Sequence, residues 1–126
     1  MKKQTEHNLQ SACIKWFRLQ YPSETLHSIP NGTKMSPVTG KWYNTEGRMA
    51  GVADCFLAAP SQEIDLYNCK QKIIHGAYIE FKSEKGKQTD TQREFEKRVT
   101  YKGYAYWVIR DFDDFRNKIN KYLEAR

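Results

Sequence analysis

Apolar residues recur along this chain with two different spacings, and the switches between them mark out its elements. Leu9, Ala12, Cys13, Trp16 and Phe17 follow the helical i, i+3, i+4, i+7, i+8 pattern, which predicts an amphipathic helix from about Thr5 to Gln20. Tyr21-Pro22 closes it, because the residue ahead of a proline is disfavoured in the helical region. Leu26 to Ile29 reads as a short strand ended by the turn Pro30-Asn31-Gly32. From Lys34 to Ala50 the signal is mixed: Pro37 and Gly40 interrupt it, and a short helix fits over Tyr43 to Met49. Asp54 to Ala59 predicts a strand that Pro60 ends. Ser61 to Lys72 shows neither period and forms a connection or a hairpin tip, after which Ile73 to Ser83 reads as a second, long strand. Glu84 to Asp90 is a charged loop, and Thr91 to Lys102 a helix with Phe95 and Val99 inward, stopped by Gly103. Tyr104 to Arg110 is rich in β-formers, and Asp111 caps a last helix carrying Phe112, Phe115, Ile119 and Leu123 on one face. No repeat, low-complexity tract or linker interrupts this order. It implies a single α/β domain over residues 1–126, with a mixed central sheet flanked by helices.

Composition narrows the class without naming a function. Hydrophobic residues make up 39% and aromatics 13% of the 126, too apolar for disorder and enough for one core. No apolar run reaches the length of a membrane span, and the basic start Met1-Lys2-Lys3 leads into polar residues rather than a signal-peptide core, so an intracellular protein is expected. Cys13, Cys55 and Cys69 are odd in number and lack CxxC spacing, which excludes a disulfide framework or a zinc site and leaves buried or half-buried free thiols. A formal charge of +6 favours an anionic partner such as a phosphate backbone.

The chemistry concentrates in Ile79-Glu80-Phe81-Lys82 and, upstream, Gly51-Val52-Ala53-Asp54. In a strand Glu80 and Lys82 project to one face while Ile79 and Phe81 project to the other. A carboxylate and an ammonium side by side, with Asp54 at the head of another strand, make a divalent-metal site with a water-orienting lysine beside it. Mg²⁺ prefers oxygen ligands and keeps several waters, so one or two carboxylates suffice. Such a site is suited to cutting a phosphodiester. Taken singly the residues have plainer explanations: Asp54 as a turn residue at a strand start, Glu80 and Lys82 as a surface salt bridge.

Taken in order, the pieces resemble a family. Gly-x-x-Asp heading a strand, an acid-x-Lys triplet on the next long strand, and Gln92-Arg93-Glu94-Phe95 opening a helix that ends at Gly103 look like the virus-type replication-repair nuclease (VRR-NUC) domain. That family belongs to the PD-(D/E)XK nuclease superfamily, and the resemblance extends over nearly the whole chain. One position departs from it: Ala53 stands where the family usually has proline. The resemblance implies a restriction-endonuclease-like core, with Asp54, Glu80 and the backbone carbonyl of Phe81 holding Mg²⁺ or Mn²⁺. Lys82 would orient the attacking water, and Gln92 would contact Lys82, a metal-bound water or phosphate; otherwise Gln92 is a satisfied core amide. Glu6 either joins the metal shell or simply complements the first helix's dipole. Lys85, Lys87 and Arg93 are candidate contacts to a DNA backbone, as are Lys97 and Arg98, unless they form a solvated face.

Lone domains of this kind resemble phage enzymes that cut four-way (Holliday) junctions as homodimers. Two symmetric nicks need two active sites, and one chain carries one. The expected partner is therefore branched DNA, with a less selective nicking or restriction-like endonuclease, or a catalytically silent nucleic-acid-binding domain, as the alternatives. Trp42, Tyr43, Tyr101, Tyr104 and Trp107 could stack on unpaired bases, although core packing suits Trp107 better. His27 stays outside the catalytic set, and Asn31 suits a left-handed turn position more than a phosphate contact.

Overall fold

The computed structural model describes residues 2–30 and 36–126, with side chains from residue 5 onward. The order is α1 (Lys2–Gln20), β1 (Leu26–Ser28), α2 (Pro37–Thr45), β2 (Cys55–Leu57), β3 (Ser61–Asp65), β4 (Lys70–Ile74), β5 (Ala77–Phe81), α3 (Asp90–Tyr101), β6 (Ala105–Ile109) and α4 (Phe112–Glu124). Four strands form a mixed sheet in the order β1-β2-β5-β6, antiparallel except for the β5–β6 pair, and β3–β4 is a separate antiparallel hairpin. The parallel pair follows from α3, which returns the chain so that β6 runs alongside β5.

One face of the sheet packs on α1 and α4. Cys13 and Phe17 from α1, Cys55, Ile79 and Phe81 from the strands, and Phe115 and Ile119 from α4 are all buried in one cluster. The period-2 alternation of β5 sends Ile79 and Phe81 here and Tyr78 and Glu80 to the opposite face. That opposite face is aromatic: Tyr78 meets Phe56, Phe95 and Tyr104, and Phe95 meets Tyr106. The helices start where their caps place them. Asp111 accepts from the backbone N–H of Asp114, and Thr89 and Gln92 close a reciprocal capping box on α3. Gly103 stops α3 at φ +94, a left-handed position where an added Cβ would also strike His75.

Several sequence expectations change. Ile73 to Ser83 is not one strand: β4 ends at Ile74, His75-Gly76 intervenes, and β5 begins at Ala77 in the other sheet. Gly76 permits the break, since a Cβ there would sit 2.6 Å from the Phe56 ring. The polar stretch Ser61 to Lys72 supplies β3 and most of β4, a hairpin whose weak period reflects exposure on both faces; its tip residue Tyr67 is 99% exposed. The short helix lies at Pro37–Thr45 rather than Tyr43 to Met49. Pro37 does not interrupt it but starts it, behind the N-cap Ser36. Cys69 is exposed rather than buried, while Cys13 and Cys55 are buried free thiols pushed up to about 12 by desolvation. His27 is exposed, Trp107 packs edge-on against Tyr122, and Asn31 and Gly32 of the expected turn lie outside the described residues.

Candidate active site

The candidate residues gather at one end of the sheet. Asp54 lies one residue ahead of β2, and continuing the β2–β5 register by one position sets it across from Glu80. Two features fix Asp54 there. Its backbone carbonyl accepts from Ile29 N–H at 2.7 Å, and its Oδ2 accepts from Phe81 N–H at 2.7 Å. The loop before it is held by Gly51, whose φ of +84 suits glycine and whose missing Cβ would lie 2.3 Å from the Thr91 carbonyl oxygen. The glycine of the Gly-x-x-Asp motif therefore lets this loop press against the first turn of α3.

Glu80 is the unusual residue. It is 1% exposed, yet among the described residues neither carboxylate oxygen has a hydrogen-bond partner and no cation lies within ion-pair distance of it. The surface salt-bridge explanation does not apply to a carboxylate in this position. A buried unpaired carboxylate is costly, by several kcal/mol when charged. Burial accordingly raises the Glu80 carboxyl above its ordinary range, with Lys82 opposing and Asp54 reinforcing the shift. Asp54 is also raised, chiefly by burial, against the Phe81 N–H that favours its charged form; Glu6 pushes it up and Lys82 down. Glu6 and Lys82 are thus near enough to act on Asp54, and Lys82 and Asp54 near enough to act on Glu80.

The backbone of β5 places one more oxygen in the cluster. A strand residue points its N–H and C=O toward the same neighbouring strand. Phe81 N–H meets Asp54 Oδ2, and two residues on, Ser83 N–H meets Glu6 Oε2 at 3.3 Å. By the same alternation the Phe81 carbonyl projects to the side of its own N–H, the side of Asp54. Among the described residues no three His, Cys, Asp or Glu side chains converge as a metal cluster. A cation here would be held by Asp54, Glu80 and the Phe81 carbonyl. The donor set fits a hard divalent ion: oxygen only, with Glu80 lacking any other partner.

Other candidates lie further out. Gln92 is half-buried, and its Oε1 accepts from Thr89 N–H at 2.8 Å in the capping box, so its carbonyl end serves the helix start. Lys85 and Lys87 are exposed. Arg93 is exposed too, but its guanidinium pairs with Asp90 and donates to the Gln88 carbonyl.

Sequence reasoning missed three residues here. Tyr106 comes from β6 on the Glu80 face; among the described residues its buried hydroxyl has no hydrogen-bond partner, and both it and Gln88 are near enough to lower the Glu80 carboxyl while standing short of hydrogen-bond geometry. Arg110 uses one nitrogen to bind the carbonyls of Ser83 (2.8 Å), Glu84 (3.3 Å) and Gly86 (2.5 Å), pinning the turn that follows Lys82. Only the placement of Tyr106 as the second residue of a parallel neighbour strand, opposite Tyr78, could have found it. No local spacing marks Arg110.

A solved structure titled "VRR_NUC domain protein" superposes on this chain with a TM-score of 0.71, covering 96% of this chain and 89% of its own at 19% identity. The chain has the VRR-NUC fold. No family model matches the sequence, and no curated protein does. The likeness lies in the architecture: a mixed sheet flanked by helices, as the order of motifs implied.

Proposed function

We propose that this protein is a metal-dependent DNA endonuclease that hydrolyses phosphodiesters at branched DNA, most specifically a four-way-junction resolvase acting as a homodimer. The observation that carries this reading is Glu80, a buried carboxylate with both oxygens unpaired, facing Asp54 on a VRR-NUC scaffold. A binding module has no use for two carboxylates where phosphate must approach. A bound Mg²⁺ or Mn²⁺ would supply Lewis-acid polarisation of the phosphoryl oxygen and a more acidic water. The chain's own residues do the rest. Asp54, Glu80 and the Phe81 carbonyl hold the ion; Phe81 N–H and Ile29 N–H fix Asp54; Arg110 anchors the turn beyond Lys82. Lys82, half-buried on the Glu80 face, orients the attacking water and offsets charge on the pentacoordinate phosphorus. Gln92 contributes to the site through its amide nitrogen, and Glu6 through the Ser83 end of β5.

The test is a panel of labelled duplex, flap, splayed and four-way substrates incubated with Mg²⁺, Mn²⁺ or chelator, with cut sites mapped. Paired symmetric nicks confined to the junction, absent with chelator and absent from Asp54→Asn, are expected. Single nicks on every substrate would favour the nicking endonuclease instead, and metal-independent binding without cleavage would favour the silent domain.

A further inference from the structure

The cations first expected to meet DNA, around α3, are partly engaged with their own neighbours. A second basic surface lies on the other side of the candidate site. Between α1 and the edge strand β1 runs a groove of about 610 Å³ whose polar lining is His7, Gln10, Ser11, Lys15, Arg18 and Ser28. Among the described residues no acidic side chain lines it. His7, Ser11, Lys15 and Arg18 stand at i, i+4, i+8 and i+11, one stripe along a helix. Among the described residues neither Lys15 nor Arg18 forms an ion pair, although both are exposed.

The groove leads into the candidate site. His7 adjoins Glu6, which accepts from Ser83 N–H just beyond β5, and Gln10 donates to Cys55 Sγ at 3.4 Å, next to Asp54. Ser28, on the groove's other wall, pairs in register with Cys55. From residue 7 to residue 18 a helix rises roughly 16 Å, the axial reach of about five phosphates of one strand at 3.4 Å each. We infer that this α1–β1 groove carries the phosphate backbone of the substrate DNA away from the scissile bond, with Lys15 and Arg18 as its principal contacts. Hydroxyls and an imidazole interleaved with the two cations suit a polyanion with many acceptor oxygens and no base-specific demand. The inference rests on the nuclease reading and adds where one arm of the substrate lies.

Binding is measured on the cleavage-dead Asp54→Asn chain, with a fluorescent 30-base-pair duplex and a four-way junction over a salt series. Adding Lys15→Gln and Arg18→Gln should weaken both complexes about tenfold and reduce the log–log salt slope by roughly 2, since each phosphate contact contributes about 0.9. Lys70→Gln with Lys72→Gln removes equal charge from the β3–β4 hairpin and should change the slope little. Equal effects of the two pairs would overturn the groove while leaving the nuclease reading intact. A parental chain that binds no DNA even at low salt would overturn both. Circular dichroism and thermal melts of each variant establish that an affinity loss is not a folding loss.

Discussion

At the scale of single residues, the site is a place where folding and function pull in opposite directions. Asp54 and Glu80 are both raised by burial, so the folded, metal-free chain holds protons more tightly than the unfolded chain does. Their contribution to stability is therefore fully present below the ordinary carboxylate range and is lost as pH rises through the raised values. Melting temperature without metal should fall over that window, and Glu80→Gln should flatten the fall and raise stability near neutral pH. A divalent ion competes with those protons, so added Mg²⁺ should raise the melting temperature more at about pH 8 than at about pH 5. A metal-induced shift that is equal at both pH values would place the ion elsewhere. Lys82→Ala should keep that metal-induced shift but lose about 10²-fold or more in single-turnover cleavage, because it removes a charge aimed at the transition state and no ligand. These three residues were legible in sequence because strand alternation and a Gly-x-x-Asp turn are local patterns. The burial of Glu80 was not, because its neighbours include Tyr106, which arrives from β6 after the whole of α3 has intervened.

At the scale of elements, the site depends on how loops are pressed onto strand ends. The turn into β2 and the start of α3 meet at Gly51, where both φ and the 2.3 Å approach to the Thr91 carbonyl exclude a side chain. Gly51→Ala should destabilise the chain by about 1–3 kcal/mol and displace Asp54, cutting activity more than the loss of folded protein explains. Activity and melting temperature measured together separate the two, and a variant with parental cleavage would show that the loop has room to shift. The capping box on α3 gives Gln92 a local task through its Oε1, the S/T-x-x-E/Q pattern of a helix start, and leaves its amide nitrogen outside that box. Hydrophobic period likewise located α1, α3 and α4, each with one face on the core. It left open whether Ser61 to Lys72 is a connection or a hairpin tip and merged β4 with β5, since a ribbon exposed on both faces has no apolar side to alternate and the break at His75-Gly76 carries no charge or proline signal.

At the scale of the whole molecule, the proposed resolvase activity sets a count: one chain offers one candidate Asp54–Glu80–Lys82 site, and a four-way junction needs two cuts placed symmetrically. A two-fold dimer supplies that geometry directly, since an isologous interface relates two sites by the symmetry the junction itself has. The surface has apolar material for such a contact: Trp42 is 67% and Tyr43 46% exposed on α2, a helix none of whose side chains is buried. If these residues meet their copies across the axis, Trp42→Ala with Tyr43→Ala should shift sedimentation from dimer to monomer while each monomer keeps its fold. Mixing parental chains with an excess of Asp54→Asn chains then reads the same assembly through catalysis. Most parental chains would pair with an inactive partner, so junctions should be nicked on one strand while the opposite strand stays whole. Paired symmetric cuts persisting at large excess, or a sedimenting monomer that still makes them, would mean that one chain visits both strands in turn. The two-fold argument would then fall, leaving the site chemistry at Asp54 and Glu80 unaffected.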